Sequence, residues 1–398
     1  MTTSSGNILL IQSGGCTPVI NSTLAGLIKN GQTLYPKSRI YGGIHGITGV
    51  IDGKIPDITE LSNSQLKSLA KMPGAALGSS RHKLLPNDIE PLLKTLKAHN
   101  IRILHIIGGN DSAATGLSVS ESARADKYEL QVINLPKTID NDIVLTDHSP
   151  GYGSAARFIS QATFGVGRDA EAMGINSPIC ILEVMGRDSG WLAAASSFYK
   201  KTDRDAPHFI GIPEVIFSEE NFLISIENAY RSYGYAVAVV SEKIRSREGN
   251  LSRENPPTFT DNFGHSYFES PGKYLLDLVE KRLEVRCRWE KPGTIQRSLM
   301  DAVSTTDRIE AYEIGQKAME MARSEMNEVI PTIIRANNQK YEYSMGSASL
   351  KDVAGKIKYL PEKYRPNEQG FTNELFKSYL RPLLGNPIHD TEPIFNLL

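Results

Sequence analysis

The sequence predicts an α/β protein with mainly parallel sheets, because short runs rich in Ile and Val alternate with longer helix-like segments up to about residue 325. The chain of 398 residues also exceeds the roughly 250–300 residues that one hydrophobic core usually organises. We therefore expect two Rossmann-like lobes, over residues 1–150 and 151–325, with the chain crossing back to the first lobe near the end of the second. Residues 326–398 are expected to form a C-terminal extension.

Strands are predicted at apolar runs too short for buried helices: Ile8–Gln12, Ile103–Ile107, Gln131–Leu135, Ile179–Val184, Phe209–Ile212 and Ala236–Val240. Helices are predicted at the longer segments Val19–Asn30, Asp88–His99, Ser154–Met173, Gly190–Lys201, Glu219–Arg231, Pro271–Leu283 and Thr306–Arg323. Two segments have weak periodicity, Ser246–Phe268 and Asn337–Leu398, and we interpret them as an irregular insertion and an irregular tail. The loops at the carboxyl ends of the strands are expected to form the ligand crevice.

Composition narrows the class of protein. The chain holds 44 basic and 45 acidic residues, a balance that argues against nucleic acid or a membrane surface as the main partner. Its three cysteines, Cys16, Cys180 and Cys287, are far apart and lack metal-ligand spacing, so neither a disulfide framework nor a zinc site is indicated. No apolar run reaches the roughly 20 residues of a membrane span, and the N-terminus lacks a signal-peptide pattern. We expect a soluble, cytoplasmic protein.

Two Gly-rich turns follow predicted strands. Ser13–Pro18 contains two glycines, which let backbone N–H groups approach an anion at a helix N-terminus, although such a pair is more often only a tight turn. Gly108–Ser112 adds Asn110 and Asp111, whose side-chain oxygens can either hold a hard cation or cap the following helix. Neither turn alone decides between the two interpretations.

The segment Pro136–Asp142 is the most informative, since it packs one cation, one hydroxyl and two carboxylates into a short stretch. If the segment is extended, alternation sends Thr138, Asp140 and Asp142 to one side. Such a group can deprotonate a hydroxyl, hold Mg²⁺ and neutralise a phosphate, which is what phosphoryl transfer requires. The alternative is a polar turn with Asx-type caps.

Later strand ends carry further charged groups. Arg187 lies beside a glycine after an apolar strand and can clamp a phosphate through two hydrogen bonds. Glu242 follows another predicted strand, and Arg297 follows a basic segment that holds Arg286 and Arg288. Any of these arginines can equally be a solvated surface charge.

Taken together and in this order, the motifs resemble the phosphofructokinase family over roughly residues 7–320. The resemblance rests on P-K-T-I-D-N-D at Pro136–Asp142, M-G-R at Met185–Arg187, the turn at Gly14–Gly15, and Gln296–Arg297. These motifs rarely occur together by chance.

Two positions resemble the pyrophosphate-using branch of that family. ATP-using members have G-G-D-G-S where this chain has Gly108–Ser112 as G-G-N-D-S, and they have Gly where it has Lys137. The resemblance implies that Asp111 occupies the space of a nucleotide α-phosphate and that Lys137 binds inorganic phosphates. Two like charges about 4 Å apart repel by roughly 4 kcal/mol at an effective dielectric of 20, enough to weaken binding about a thousandfold. An ATP-dependent sugar-phosphate kinase and a non-catalytic regulatory homologue are the alternatives.

The resemblance implies phosphoryl transfer from pyrophosphate, bound by the first lobe, to the 1-hydroxyl of fructose 6-phosphate, bound by the second. The catalytic residues that it implies are Asp140 as the base, Asp111 and Lys137. The implied pyrophosphate ligands are Gly15, Arg81 and Lys137, and the implied Mg²⁺ ligands are Asn110 and Asp142. The implied sugar-phosphate ligands are Thr138, Ile139, Asp140, Met185, Gly186, Arg187, Glu242, Arg297 and one of Arg286 or Arg288. A homodimer or homotetramer is also implied, because a neighbouring subunit often completes the phosphate pocket in this family.

The chain departs from the family pattern near both substrates. Asn110 replaces the usual Asp and leaves a neutral oxygen ligand for Mg²⁺. Thr294 stands where a His is usual, and Pro178 stands where many members have an Arg that reaches a neighbouring phosphate. The last two departures leave open the affinity for the sugar phosphate and whether fructose 6-phosphate is the sole acceptor.

Overall fold

A computed structural model describes residues 6–247, 249–251, 259–260, 266–267, 270–337, 340–367 and 369–386. Most of the predicted insertion at Ser246–Phe268 and the end of the predicted tail lie outside the described residues. Within the ranges that are described, no helix combines the length and the apolar character that a membrane crossing requires.

The described elements alternate between strands and helices along most of the chain. The strands are β1 Asn7–Gln12, β2 Ile40–Gly43, β3 Ile101–Gly108, β4 Gln131–Pro136, β5 Ile179–Val184, β6 Phe209–Gly211, β7 Ala236–Ser241, β8 Arg245–Ser246, β9 Gly249–Asn250, β10 Phe259–Thr260, β11 Ser266–Tyr267, β12 Cys287–Glu290, β13 Val329–Arg335 and β14 Tyr343–Ser349. The helices are α1 Ile20–Leu34, α2 Gly46–Ile51, α3 Asn63–Leu69, α4 Ile89–Ala98, α5 Asn110–Ala125, α6 Tyr152–Met173, α7 Trp191–Ala195, α8 Glu219–Tyr233, α9 Pro271–Leu283, α10 Thr305–Arg323, α11 Leu350–Val353 and α12 Glu374–Leu380.

Two parallel sheets organise the fold. The larger has the strand order β14-β13-β4-β3-β1-β2, in which only β14 runs antiparallel to its neighbour. The smaller has the order β12-β5-β7-β6 and is parallel throughout. The central strands β3, β5 and β7 are almost wholly buried, as expected for parallel strands covered by helices on both faces of a sheet. The parallel strands of each sheet therefore present their carboxyl ends at one edge.

Helix α10 returns the chain from the smaller sheet to the larger one. It packs so closely on α1 that a Cβ at Gly26 would collide with the carbonyl oxygen of Tyr312, and a Cβ at Gly315 with that of Thr23. Strands β13 and β14 then join the larger sheet beside β4. Residues from both ends of the described chain thus build the same sheet.

A buried carboxylate joins α10 to the start of α6. Asp307 Oδ1 accepts a hydrogen bond from the backbone N–H of Gly151 at 2.8 Å, and Oδ2 accepts one from that of Ser154 at 2.9 Å. These N–H groups begin α6 and have no partner within the helix, so a side chain from another helix caps it. Residues 143–151 connect the P-K-T-I-D-N-D segment to this capped helix start.

The predicted fold class is confirmed, with two lobes and mainly parallel sheets. The predicted helix at Gly190–Lys201 is shorter than expected, because α7 ends at Ala195 and a 3₁₀ turn, Ser196–Tyr199, follows. The interpretation of the tail as irregular is wrong for the part that the structure describes, since β14, α11 and α12 lie there. The division at residues 150 and 325 stays a prediction.

Candidate active site

A cleft lies where the carboxyl ends of β1, β3 and β4 face those of β5 and β7. Most of the residues predicted from the motifs line it: Gly15, Arg81, Asn110, Asp111, Lys137, Thr138, Ile139, Asp140, Asp142, Met185, Arg187, Glu242 and Arg297. Both lobes therefore contribute side chains to one cavity, as expected for ligands that bind at the strand ends of α/β sheets.

Three cationic groups surround the turn after β1. Lys137 Nζ donates a hydrogen bond to the carbonyl oxygen of Gly15 at 2.5 Å. A Cβ at Gly15 would collide with the guanidinium of Arg297 and would lie 3.7 Å from that of Arg81. Gly14 has a φ of 77°, a conformation that glycine adopts without strain. The turn thus passes closely between two guanidinium groups and an ammonium, an arrangement suited to a ligand with several negative charges.

Lys137 is buried, with only 4% of its surface exposed. Burial lowers the pKa of Lys137 to about 8; the neighbouring Arg297 also lowers it, while the carboxylates of Asp140 and Asp142 oppose the change. A bound phosphate would add negative charge beside the ammonium and favour its charged form. The site therefore gains electrostatic stability when an anion enters.

The loop after β4 holds its carboxylates in place through backbone contacts. The backbone N–H of Asp140 donates to Thr138 Oγ1 at 3.0 Å, and its carbonyl oxygen accepts from Ser189 Oγ at 2.8 Å. Asn141 lies between the two aspartates in the left-handed region, with a φ of 53°, and is fully buried. This conformation turns the chain so that Asp140 and Asp142 both line the cleft.

Asp140 has the electrostatics of a proton acceptor. Burial and the carboxylates of Asp142 and Glu242 together raise the pKa of Asp140 to about 7, against the opposing charges of Arg187 and Lys137. Burial also raises the pKa of Asp142, where a hydrogen bond from Thr138 opposes the change. A general base is most effective when its pKa lies near the working pH, so Asp140 suits that role.

Asn110 and Asp142 offer oxygen atoms for a hard cation. Asn110 Nδ2 donates to Asp142 Oδ2 at 3.2 Å, while Asn110 Oδ1 is buried and has no hydrogen-bond partner in the part of the chain that the structure describes. Among the described residues, no group of three or more His, Cys, Asp and Glu side chains could enclose a metal ion. A cation bound here would take its remaining ligands from phosphate oxygens and water, which is the usual coordination of Mg²⁺ in phosphoryl-transfer sites.

Arg187 reaches across the cleft toward Asp111. Its Nη1 lies 3.8 Å from Asp111 Oδ2, and its backbone N–H donates to Glu242 Oε1 at 3.2 Å. Arg187 has a φ of 49°, and the preceding Gly186 has a φ of 141°. The loop after β5 therefore adopts a strained turn that projects the guanidinium into the cavity.

The structure does not bring every predicted residue to this cleft. Arg286 is exposed and donates to the carbonyl oxygen of Asn176 at 3.3 Å. Arg288 Nη2 pairs with Asp169 Oδ2 at 2.7 Å. Neither arginine lines the cavity formed by its own chain.

Sequence reasoning also missed some residues that line the cleft. Lys291 Nζ lies 2.7 Å from Glu183 Oε1, whose side chain is wholly buried, and Lys243 Nζ lies 3.0 Å from Asp188 Oδ2. Lys243 directly follows Glu242 in the sequence, and this neighbour could have indicated that Lys243 lies at the cleft. Lys291 lies in the basic segment before Arg297, where no spacing distinguishes it from surface lysines.

Comparison with known proteins identifies what the chain is similar to. The family model described as phosphofructokinase matches residues 7–322. The "Pyrophosphate--fructose 6-phosphate 1-phosphotransferase" of Rhodospirillum rubrum is 36% identical over 97% of this chain and 96% of its own length. The protein of the same name from Xanthomonas campestris is 36% identical over 96% of this chain and 92% of its own. The crystal structure of a pyrophosphate-dependent phosphofructokinase from Nitrosospira multiformis superposes with a TM-score of 0.87 at 32% identity, covering 98% of this chain and 95% of that one.

Proposed function

This chain belongs to the phosphofructokinase family. We propose which role each of its site residues has in the reaction of that family. The reaction is the transfer of a phosphoryl group from pyrophosphate to the 1-hydroxyl of fructose 6-phosphate. It yields fructose 1,6-bisphosphate and phosphate, and it is reversible. The resemblance found in the motifs is thereby confirmed.

The observation that carries the donor assignment is the pair Lys137 and Asp111. Lys137 Nζ contacts the Gly15 carbonyl oxygen, so its charge lies at the turn where a small polyanion would bind. Asp111 lies in the first turn of α5, among the residues that line the same cavity, and puts a carboxylate where additional phosphate would meet like charge. We assign pyrophosphate to Gly15, Arg81 and Lys137.

We assign proton acceptance to Asp140. As the 1-hydroxyl of the sugar attacks the near phosphorus atom of pyrophosphate, its proton passes to the Asp140 carboxylate and the P–O bond to the leaving phosphate breaks. Lys137 and Arg81 offset the negative charge on the leaving phosphate, and Arg187 faces the transferred group. The buried position of Asp140 and its raised pKa support this role.

We assign the sugar to the second lobe, through Met185, Gly186, Arg187 and Glu242, with Thr138 and Ile139 from the first. Family resemblance assigns Arg297 to the 6-phosphate. Its guanidinium lies against Gly15, so the donor is within its reach as well. The positive charge of Arg297 can thus neutralise phosphate groups of both substrates.

We assign Mg²⁺ to Asn110 and Asp142, whose oxygens fit a hard cation because Asn110 Oδ1 is buried and none of the described residues hydrogen-bonds to it. When bound, the cation supplies charge neutralisation to the pyrophosphate oxygens. The chain's own contribution is to orient those two ligands beside the base, through the contact between Asn110 and Asp142.

We further propose a homodimer or homotetramer in which Arg286 or Arg288 contacts the 6-phosphate bound by a neighbouring subunit. The support is that neither arginine is among the residues that line the cleft of their own chain, and that they contact Asn176 and Asp169 instead. Sedimentation of the purified chain tests the assembly, and a monomer with full activity would contradict it.

The donor assignment is tested by comparing pyrophosphate with ATP, both with Mg²⁺ and fructose 6-phosphate. We expect turnover with pyrophosphate and little with ATP, since the Asp111 carboxylate would repel the α-phosphate. Asp111→Gly should raise activity with ATP, whereas Asp111→Glu, which keeps the charge, should not. A wild-type chain that prefers ATP would show that the donor assignment is wrong.

A further inference from the structure

The C-terminal part of the chain passes directly beneath the loop that carries Asp140. The backbone N–H of Lys358 donates to the carbonyl oxygen of Asp142 at 2.8 Å. On its other side, the carbonyl oxygen of Lys358 accepts from Trp191 Nε1 at 3.2 Å. Residue 358 therefore links the loop after β4 to the first residue of α7, which belongs to the other lobe.

The ammonium of Lys358 is held by the same loop. Its Nζ donates to Asn141 Oδ1 at 3.1 Å and to the carbonyl oxygens of Thr146 and Asp147 at 3.1 Å and 2.9 Å. An ammonium has three protons, so all of its donors are used. It also lies 5.3 Å from the centre of the Trp191 ring. Because all three N–H groups donate to this one loop, the ammonium of Lys358 has no donor left for a substrate.

Tyr379 of α12 holds the other side of Asn141. Asn141 Nδ2 donates to the Tyr379 hydroxyl at 3.2 Å, and that hydroxyl donates to the carbonyl oxygen of Asp147 at 3.1 Å. The Asn141 side chain is thus hydrogen-bonded through its oxygen to Lys358 and through its nitrogen to Tyr379. Asn141 lies between the proposed base and the proposed metal ligand. Its left-handed backbone persists only where its surroundings over-determine it.

The same segment is tied to the loop that carries Arg187. Glu214 Oε1 accepts from the backbone N–H of Leu360 at 2.7 Å and from that of Gly190 at 2.9 Å. One short stretch, residues 358–360, therefore has hydrogen-bonded links to the cleft loops of both lobes.

We propose that Lys358 and Tyr379 are positioning residues, which fix Asn141 so that Asp140 and Asp142 keep the separation and direction that transfer requires. The proposal rests on the assignment of Asp140 and Asp142 to the reaction. Neither residue contacts a substrate in this proposal. Their effect on the reaction comes through the positions of Asp140 and Asp142. A misplacement of about 1 Å in a catalytic group can cost roughly a hundredfold in rate.

The test compares four single variants of the full chain. Lys358→Met keeps the length of the side chain and removes the ammonium. Lys356→Met is its control, because Lys356 is exposed and its ammonium pairs with exposed Asp352, at 3.6 Å. Tyr379→Phe removes one hydroxyl. Its control is Tyr364→Phe, whose ring stacks on Tyr379 with 5.3 Å between the centroids.

We expect kcat to fall about tenfold to a hundredfold in Lys358→Met, with KM for both substrates within about twofold of the wild type. Tyr379→Phe should lose about threefold to tenfold in kcat, as the loss of one hydrogen bond predicts. Both controls should turn over like the wild type. Thermal unfolding of each variant shows whether a lower kcat comes from displaced catalytic groups or from a smaller fraction of folded protein.

The proposal is overturned if folded Lys358→Met or Tyr379→Phe keeps the wild-type kcat, or if the loss appears mainly in KM. If Lys358→Met does not fold, Tyr379→Phe decides alone. Each comparison uses whichever phosphoryl donor the wild type accepts. A chain that uses ATP would therefore contradict the donor assignment while leaving this test intact.

Discussion

Asp140 and Asp142 lie two residues apart in one buried loop, yet their contacts differ. The backbone of Asp140 is fixed by Thr138 and Ser189, whereas the carboxylate of Asp142 accepts a hydrogen bond from Asn110. The two carboxylates that we propose as base and metal ligand therefore differ in their neighbours. A substitution at each position should separate them in kinetics too.

We predict that Asp140→Asn lowers kcat by about 10²–10⁴-fold and leaves both KM values nearly unchanged, because Asn fits the same space and cannot accept the proton. Steady-state kinetics with pyrophosphate and fructose 6-phosphate measure this. Asp126→Asn is the control, since Asp126 is paired with Lys97 on the surface away from the cleft. Near-normal turnover in Asp140→Asn would move the base elsewhere, with Asp142 the next candidate.

At the scale of residues, the motifs predicted well those side chains that follow a strand directly. Lys137, Asp140 and Arg187 each come within a few residues of a strand end, so the parallel sheets bring them together. Lys358 had no such signal, because the three acceptors of its ammonium are more than two hundred positions earlier in the chain. A contact of that kind depends on tertiary packing, which neither periodicity nor local spacing encodes.

At the scale of elements, His148 joins α10 to the loop that leads into α6. Its Nε2 lies 2.7 Å from Glu310 Oε2, and its Nδ1 lies 2.8 Å from Asp147 Oδ1. Arg335 of β13 also pairs with Asp147, at 3.1 Å, and Tyr341 contacts Glu310. Burial lowers the pKa of His148, but the two carboxylates outweigh it and raise the pKa to about 9.

We predict that this imidazolium stabilises the fold in a pH-dependent way. The pKa of His148 is higher in the folded than in the unfolded state, so its contribution is fully present below pH 6.5 and is lost as pH rises through about 9. The expected contribution is about 3 kcal/mol at its largest. Denaturant unfolding of the wild type and His148→Gln should differ most near pH 6 and converge above pH 9. A difference independent of pH would contradict the prediction.

The elements that sequence analysis missed have identifiable causes. Strand β13 carries Pro331, and proline within an apolar run usually argues against a central strand. Strand β14 is rich in Ser and Gly, and its alternation is weak because it lies at the edge of the sheet. In both, pairing with a neighbouring strand outweighs local preference. In the runs rich in Ile and Val, local preference and strand pairing agree, and those strands were predicted.

At the scale of the whole molecule, the donor and the cation should stabilise the two lobes together, because the cleft draws cationic groups from both. We predict that pyrophosphate with Mg²⁺, at about a hundred times its dissociation constant, adds about 2.7 kcal/mol to the free energy of unfolding. Thermal unfolding measures this as a rise of several degrees in Tm. A chelator should remove both most of this rise and the turnover. Sodium chloride of equal ionic strength is the control, and an equal rise without Mg²⁺ would contradict the metal assignment.

The pairing of β13 with β4 also bears on how the protein is made. Ile133 of β4 faces Val329 of β13, so one side of β4 stays uncovered until the later strand has been synthesised. At roughly 5–20 residues per second, a ribosome needs roughly ten to forty seconds to reach it. During that interval the nascent chain carries an open strand edge, to which another chain could add. Yield in a cell should therefore depend on how well chaperones shield the unfinished sheet during translation.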